Sequence, residues 1–218
     1  MTFRDREEAG RRLAQRLLHL RDAAPLVLAL PRGGVPVAVP IAEALGAPLD
    51  LLLVRKIGAP LQPELALGAV VEGDPPRTVV NEDLVATLGV PADYVTEQAA
   101  EEVAEIARRR RLWLQGRPAV APRGRSVIVV DDGVATGATV RAALLALQQA
   151  GAARRVLAVP VAPRVVAEAL RQACEEVVTL AEPARFGSVG AFYADFHQLG
   201  DAEVAALLAA AARDRPST

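Results

Sequence analysis

Two periodicities alternate along the chain. Short runs rich in Leu, Ile and Val fall at residues 26–30, 49–54, 127–130, 154–161 and 176–180. Runs of this length without polar alternation read as strands covered on both faces, as in a parallel sheet. Between them, apolar positions recur every three or four residues. That spacing predicts helices over 3–20 (Ala9, Leu13, Leu17 and Leu20 on one face), 35–45, 81–88, 91–115, 138–150 closed by Gly151, 165–173, and 201–213 with Asp201 as its N-cap. Strands alternating with helices predict an α/β fold: a doubly wound, mostly parallel sheet flanked by helices, with ligand sites at the carboxyl ends of its strands. Residues 61–80 break the pattern. Pro63, Gly68, Gly73, Pro75 and Pro76 separate two short apolar pieces, 65–71 and 78–80, which reads as a mobile hairpin or flap.

Candidate chemistry gathers where strands meet glycine. The run 127–130 ends on Asp131 and Asp132, and Gly133-Val134-Ala135-Thr136-Gly137-Ala138-Thr139 then leads into a helix. Unpaired amides, the positive end of a helix dipole and two hydroxyls suit a phosphate monoester, and adjacent carboxylates suit vicinal hydroxyls or a hydrated divalent cation. Four or five such contacts, at about 1.5–3 kcal/mol for each charge-assisted hydrogen bond, anchor a sugar phosphate even after ordering costs. Likewise, 26–30 runs into Pro31-Arg32-Gly33-Gly34. The glycines there permit close backbone approach or positive φ, and Arg32 offers a fork suited to phosphate.

Four apolar residues, two acids and an Ala-Thr-Gly-x-Thr ending resemble the phosphoribosyl-pyrophosphate (PRPP) loop of type I phosphoribosyltransferases, closest to the adenine and purine-type members. Gly133 departs from that pattern, standing where the family usually has an aliphatic residue. Arg32-Gly33-Gly34 is similar to the family's pyrophosphate loop, which implies a non-proline cis peptide near 31–33. Arg55-Lys56-Ile57-Gly58-Ala59-Pro60 resembles the family's basic pyrophosphate-contacting region, with one residue fewer before the proline and without a further lysine. The resemblance implies a single domain over 1–218, with a flap at about 57–80 and a small C-terminal hood at about 182–200 joined by the terminal helices. It implies transfer of a 5-phosphoribosyl group from PRPP to a nitrogen acceptor such as a nucleobase, with release of pyrophosphate. In that reading Ala135, Thr136, Gly137, Ala138 and Thr139 hold the 5-phosphate. Asp131 and Asp132 engage the ribose hydroxyls and, indirectly, Mg²⁺ carried by PRPP. Arg32, Gly33, Gly34, Arg55 and Lys56 receive the pyrophosphate.

Composition narrows the alternatives. The chain has 218 residues, 52% hydrophobic, a formal charge of −1 and a single cysteine, Cys174, expected to be a buried small hydrophobe. No global field recruits nucleic acid, and no apolar run reaches the ~18–20 residues of a membrane span, so a cytoplasmic protein binding neither is expected. Every basic residue but Lys56 is arginine, which draws attention to that one ammonium. Arg108 to Arg111 are consecutive on a helix, so they point around its circumference and read as a solvated face or subunit contact. His19 reads as a surface or satisfied histidine and Trp113 as packing. Glu64 and Glu72 are candidate proton acceptors or base contacts. Phe186, Phe192, Tyr193 and Phe196 crowd into one short piece of a chain with four Phe and two Tyr, which reads as a miniature core or a face on which a base stacks, with Asp195 and His197 nearby. A P-loop nucleotidase needs Gly-Lys-Ser/Thr, and a dinucleotide oxidoreductase Gly-x-Gly-x-x-Gly; neither is present. No N-terminal cysteine marks an amidotransferase. The remaining alternative is a non-catalytic PRPP or nucleotide sensor of the same fold, and relatives with basic residues crossing subunits imply a homodimer.

Overall fold

A computed structural model describes residues 2–213, without the side chain of residue 64. In chain order its elements are α1 (Arg6–Leu17) with a short 3-10 stretch (Leu18–Ala23), β1 (Leu26–Ala29), α2 (Gly34–Leu45), β2 (Leu49–Leu51), β3 (Val54–Ala59), β4 (Gln62–Val71), β5 (Arg77–Val80), α3 (Glu82–Leu88) and α4 (Ala92–Leu114). These are followed by β6 (Ser126–Val130), α5 (Ala138–Gln149), β7 (Arg154–Val161), α6 (Arg164–Leu170), β8 (Glu176–Ala181), a second 3-10 turn (Val189–Phe192) and α7 (Asp201–Arg213).

Five strands form a parallel sheet in the order β2-β1-β6-β7-β8. Successive residues face opposite layers. Ile128, Val130, Val27 and Ala29 pack beneath α1, α2, α4 and α7, whereas Val127, Val129, Leu26 and Leu28 pack beneath α5 and α6. Both faces are therefore apolar, which is why these strands carry no polar alternation. Strand order reverses between β1 and β6: the chain leaves β1 toward β2 in one direction and β6 toward β7 in the other. A crevice opens at such a switch point, outside the carboxyl ends of the strands.

Three sequence expectations are corrected. The run 49–54 is not one strand: β2 stops at Leu51, and the chain re-enters at Val54 as β3 of a separate antiparallel sheet, β3-β4-β5. The basic pair thus lies within a strand of that sheet. Residue 201 does not cap α7 but lies inside it, its carboxylate accepting from Trp113 Nε1 at 3.1 Å and pairing with Arg32 at 3.2 Å. Arg110 does not belong to a solvated face. It lies between Asp50 (2.9 Å) and Glu72 (2.8 Å), tying α4 to the middle of β2 and to the residue that follows β4.

The segment ahead of α1 is held by the far end of the chain. Phe3 bridges Tyr193, with backbone bonds from Phe3 N to Phe192 O (2.7 Å) and from Ala194 N to Phe3 O (2.8 Å). Phe3, Ala9 and Tyr193 are buried together against Val189 and Phe192, so the aromatic cluster forms a small core. No helix among the described residues is long and apolar enough to cross a membrane.

Candidate active site

β6 delivers Asp131 and Asp132 to the switch point, and the turn that follows delivers the amides of α5. Gly137, at the helix N-cap, has φ +81°, a conformation that only glycine adopts without strain. No side chain caps this terminus. Ala135, Thr136 and Ala138 are exposed and Thr139 is half-buried. The loop therefore presents first-turn amides and two hydroxyls to an incoming anion.

The Pro31–Arg32 peptide bond is cis, as the resemblance implied. Here close approach, rather than positive φ, explains the glycine pair. A Cβ on Gly33 would lie 2.0 Å from Asp132 Oδ2, and one on Gly34 would lie 2.5 Å from the Val130 carbonyl oxygen. The two glycine-bearing loops are thus in contact across the crevice, joined by a bond from Leu30 N to Val130 O of 2.8 Å.

The acids are unequal. Asp131 accepts the Asp132 amide at 2.9 Å and makes no ion pair among the described residues. Burial, then the charge of Asp132, pushes its carboxyl well above the ordinary range. Asp132 is raised by burial too, but Arg6 opposes the shift with a 2.8 Å bond from Nε to Oδ2. Arg6 also donates to the His197 carbonyl at 3.0 Å and places its guanidinium carbon 3.8 Å from the centre of the Phe196 ring. Tyr193 donates its hydroxyl to the Asp132 carbonyl at 2.6 Å; burial, then the charge of Asp132, raises its pKa and keeps it a donor.

Other expected site residues are spread more widely. Arg32 reaches the Leu199 carbonyl at 2.9 Å and Asp201. Adjacent strand positions face opposite ways, and β3 accordingly separates the basic pair. Arg55 turns to Glu102 of α4 at 2.7 Å. Exposed Lys56 lines a cavity of about 460 Å³ with Ala138, Thr139 and Arg141 of α5 and with Gly68 and Val80 of the antiparallel sheet. Glu72 is committed to Arg110 and Leu53 N (3.3 Å), and burial is the main cause of its raised pKa. The Glu64 side chain lies outside the described residues. Phe186 stacks on Phe192 at 5.6 Å.

Gly133, the departure from the family pattern, has a local reason. A Cβ there would lie 2.5 Å from Val189 Cγ1 and 3.0 Å from Val161 Cγ1. The hood thus supplies the aliphatic bulk that the loop residue lacks. Arg6 was overlooked in the sequence, although a signal existed: it stands three residues before Ala9 and seven before Leu13, on the apolar stripe of α1, where a charge requires a buried partner.

A family model described as the phosphoribosyl transferase domain matches residues 4–194. The chain belongs to the type I phosphoribosyltransferase family. The chain is 45% identical over 212 residues to proteins from two Mycobacterium tuberculosis strains that are themselves only provisionally named phosphoribosyl transferases. The alignment covers 97% of this chain and 47% of theirs, so the chain spans about half the length of these curated relatives. It is also similar to the crystal structure of TT1426 from Thermus thermophilus, with 46% identity and a TM-score of 0.82, covering 95% of this chain and 98% of that one.

Proposed function

We propose that this phosphoribosyltransferase binds PRPP at the β1–β6 switch point and transfers its 5-phosphoribosyl group to a nitrogen acceptor of the nucleobase kind. The contact between Gly33 and Asp132 carries the reading: it sets a phosphate-binding loop on either side of a carboxylate pair, matching a ribose phosphorylated at both ends. Ala135 to Thr139 hold the 5-phosphate, Asp131 and Asp132 take the ribose hydroxyls, and the Arg32 loop receives the pyrophosphate. In the transfer the C1–O bond breaks with its electron pair leaving on pyrophosphate. The acceptor nitrogen bonds to C1 and loses its proton to solvent or a nearby base. Catalysis is chiefly positioning and charge stabilisation, with the antiparallel sheet 54–80 acting as a flap that excludes water.

Among the described residues no cluster of three or more His, Cys, Asp or Glu could hold a metal by itself. Two adjacent carboxylates, one of them without a cationic partner, fit Mg²⁺ that arrives on PRPP. Bound there, Mg²⁺ neutralises pyrophosphate charge. A homodimer, checked by light scattering, completes the reading.

The test is pyrophosphate release from Mg²⁺-PRPP with a panel of adenine, guanine, hypoxanthine, xanthine, uracil and orotate, alongside calorimetric PRPP binding. Binding without turnover on any acceptor favours a sensor, a second reading supported by Arg55 being engaged with Glu102 of α4. Failure to bind PRPP removes both. Lys56→Ala separates the donor contacts: affinity for PRPP and pyrophosphate should fall more than affinity for a ribonucleoside monophosphate, and equal losses would remove Lys56 from the pyrophosphate end.

A further inference from the structure

A second cavity, of about 380 Å³, opens beside Asp132 and is lined by Arg6, Arg32, Gly33, Phe196, His197, Gln198 and Leu199. It lies between the carboxylate expected to hold ribose and the hood. Its walls differ from those of a base-stacking pocket. Phe186 and Phe192 are stacked on each other. Tyr193 lies between Phe3 (5.4 Å) and Phe196 (5.1 Å) and is 7% exposed. Phe196 has that tyrosine on one side and carries the Arg6 guanidinium. Phe196, 37% exposed, is thus the one hood aromatic on the cavity wall among the described residues, and its ring is already shared with the Arg6 guanidinium and Tyr193.

What the cavity offers is cationic. The Arg6 side chain is 9% exposed, and its Nη2 makes no hydrogen bond within the described residues, although Nε and Nη1 are both engaged. A guanidinium so buried, with Nη2 left over, suits an oxyanion, to which it can give a charge-assisted bond. Arg32 lines the same space at about one-third exposure. His197 lies at the rim, where Glu203 and then Asp195 favour its protonated form. Opposing charge comes from Asp132, paired to Arg6, from Asp201, paired to Arg32, and from Asp195 and Glu203, paired to His197 at the rim, so each cation has a partner and the buried Arg6 still has a nitrogen to spare.

Building on the PRPP reading above, we propose that this cavity is the acceptor end of the site and that it selects an acceptor carrying a carboxylate, held by Arg6, over a neutral base stacked on the hood. Arg6 then acts twice: it orients Asp132 toward the ribose, and it binds the acceptor's anionic group. The transfer is unchanged; the acceptor nitrogen bonds to C1 as pyrophosphate departs, and the carboxylate fixes which face of the acceptor meets C1.

The full chain, with PRPP and Mg²⁺ present, is titrated with two matched pairs, orotate against uracil and nicotinate against nicotinamide, while pyrophosphate release is followed. In at least one pair the carboxylate should bind or react about tenfold better or more, as expected for a charge-assisted hydrogen bond. Arg6→Met should reduce that ratio to about twofold or less, with Arg6→Lys keeping part of it. PRPP binding without carboxylate preference in either pair overturns this assignment and leaves the donor reading standing; failure of PRPP to bind overturns the donor reading. Arg6→Met weakening PRPP and pyrophosphate while the acceptor ratio holds assigns Arg6 to the donor end and also overturns the proposal. The wild-type ratio requires no substitution, so together with Arg6→Lys it decides the matter even if Arg6→Met does not fold.

Discussion

At position 33 there is no room for a side chain. The alanine Cβ would overlap both Asp132 Oδ2 at 2.0 Å and Cγ at 2.4 Å, so either the loop or the carboxylate must move. Gly33→Ala should cost roughly 1–3 kcal/mol through overpacking and weaken PRPP by more than tenfold, read by thermal melts and calorimetry. Unchanged PRPP affinity would show that the loop contact does not position the acid. His197 gives a residue-scale test in pH. Contacts to Glu203 and Asp195 raise its pKa above 6.5. A folded-state pKa above the unfolded one means that the contribution is full below the unfolded value and is lost as pH rises through the folded value. NMR titration should place the His197 midpoint above 6.5 and move it down in Glu203→Gln. A midpoint at or below 6.5 would show that neither contact persists in solution.

Among elements, α4 distinguishes arginines that look identical in sequence. Arg108 and Arg109 share Glu105, whose carboxyl they hold down to about 2. Arg111 is exposed, and Arg110 is enclosed by Asp50 and Glu72. Removing Arg110 strands two carboxylates, one of them at Asp50, which is 4% exposed. Denaturant unfolding should show Arg110→Ala losing about 3–5 kcal/mol, as for a broken buried pair, and Arg111→Ala staying within about 0.5. Comparable losses would mean that the cluster is not buried in solution. Sequence resolved the helix but not this difference. Helical spacing tells which way a residue points, whereas the partner at Asp50 lies 60 positions away. The same limit explains the 49–54 run: apolar content marks β structure but not the point where a strand leaves one sheet for another. By contrast, both loops at the switch point were legible, because their chemistry is local: strand, glycine or acid, helix start, within a dozen residues. Arg6 and Asp132 pair across 126 positions, so no window reveals them together.

For the molecule as a whole, the segment ahead of α1 and residues 192–194 close on each other beside Asp132. Phe3 is fully buried against Tyr193, and its main chain bonds to Phe192 and Ala194. Phe3→Ala should leave the parallel sheet intact but loosen the hood, since the lost packing is confined to that small cluster. Hydrogen exchange should accelerate at residues 189–199 while β6 and β7 stay protected. Acceleration spread evenly over the sheet would mean that hood and sheet unfold as one unit.

That closure also orders events during synthesis. Asp132 can meet Arg6 once the first 132 residues are out, but the Arg6 contact to the His197 carbonyl and its Phe196 cover must wait for a segment made some 65 residues later. Such distant contacts come late in folding, because loop closure precedes their reward. A nascent or truncated chain could therefore carry both phosphate loops while its arginine still lacks a roof. If the site works as proposed, donor recognition would mature before acceptor choice, and proteolytic loss of residues 192–199 would leave both loops in place while Arg6 loses its roof.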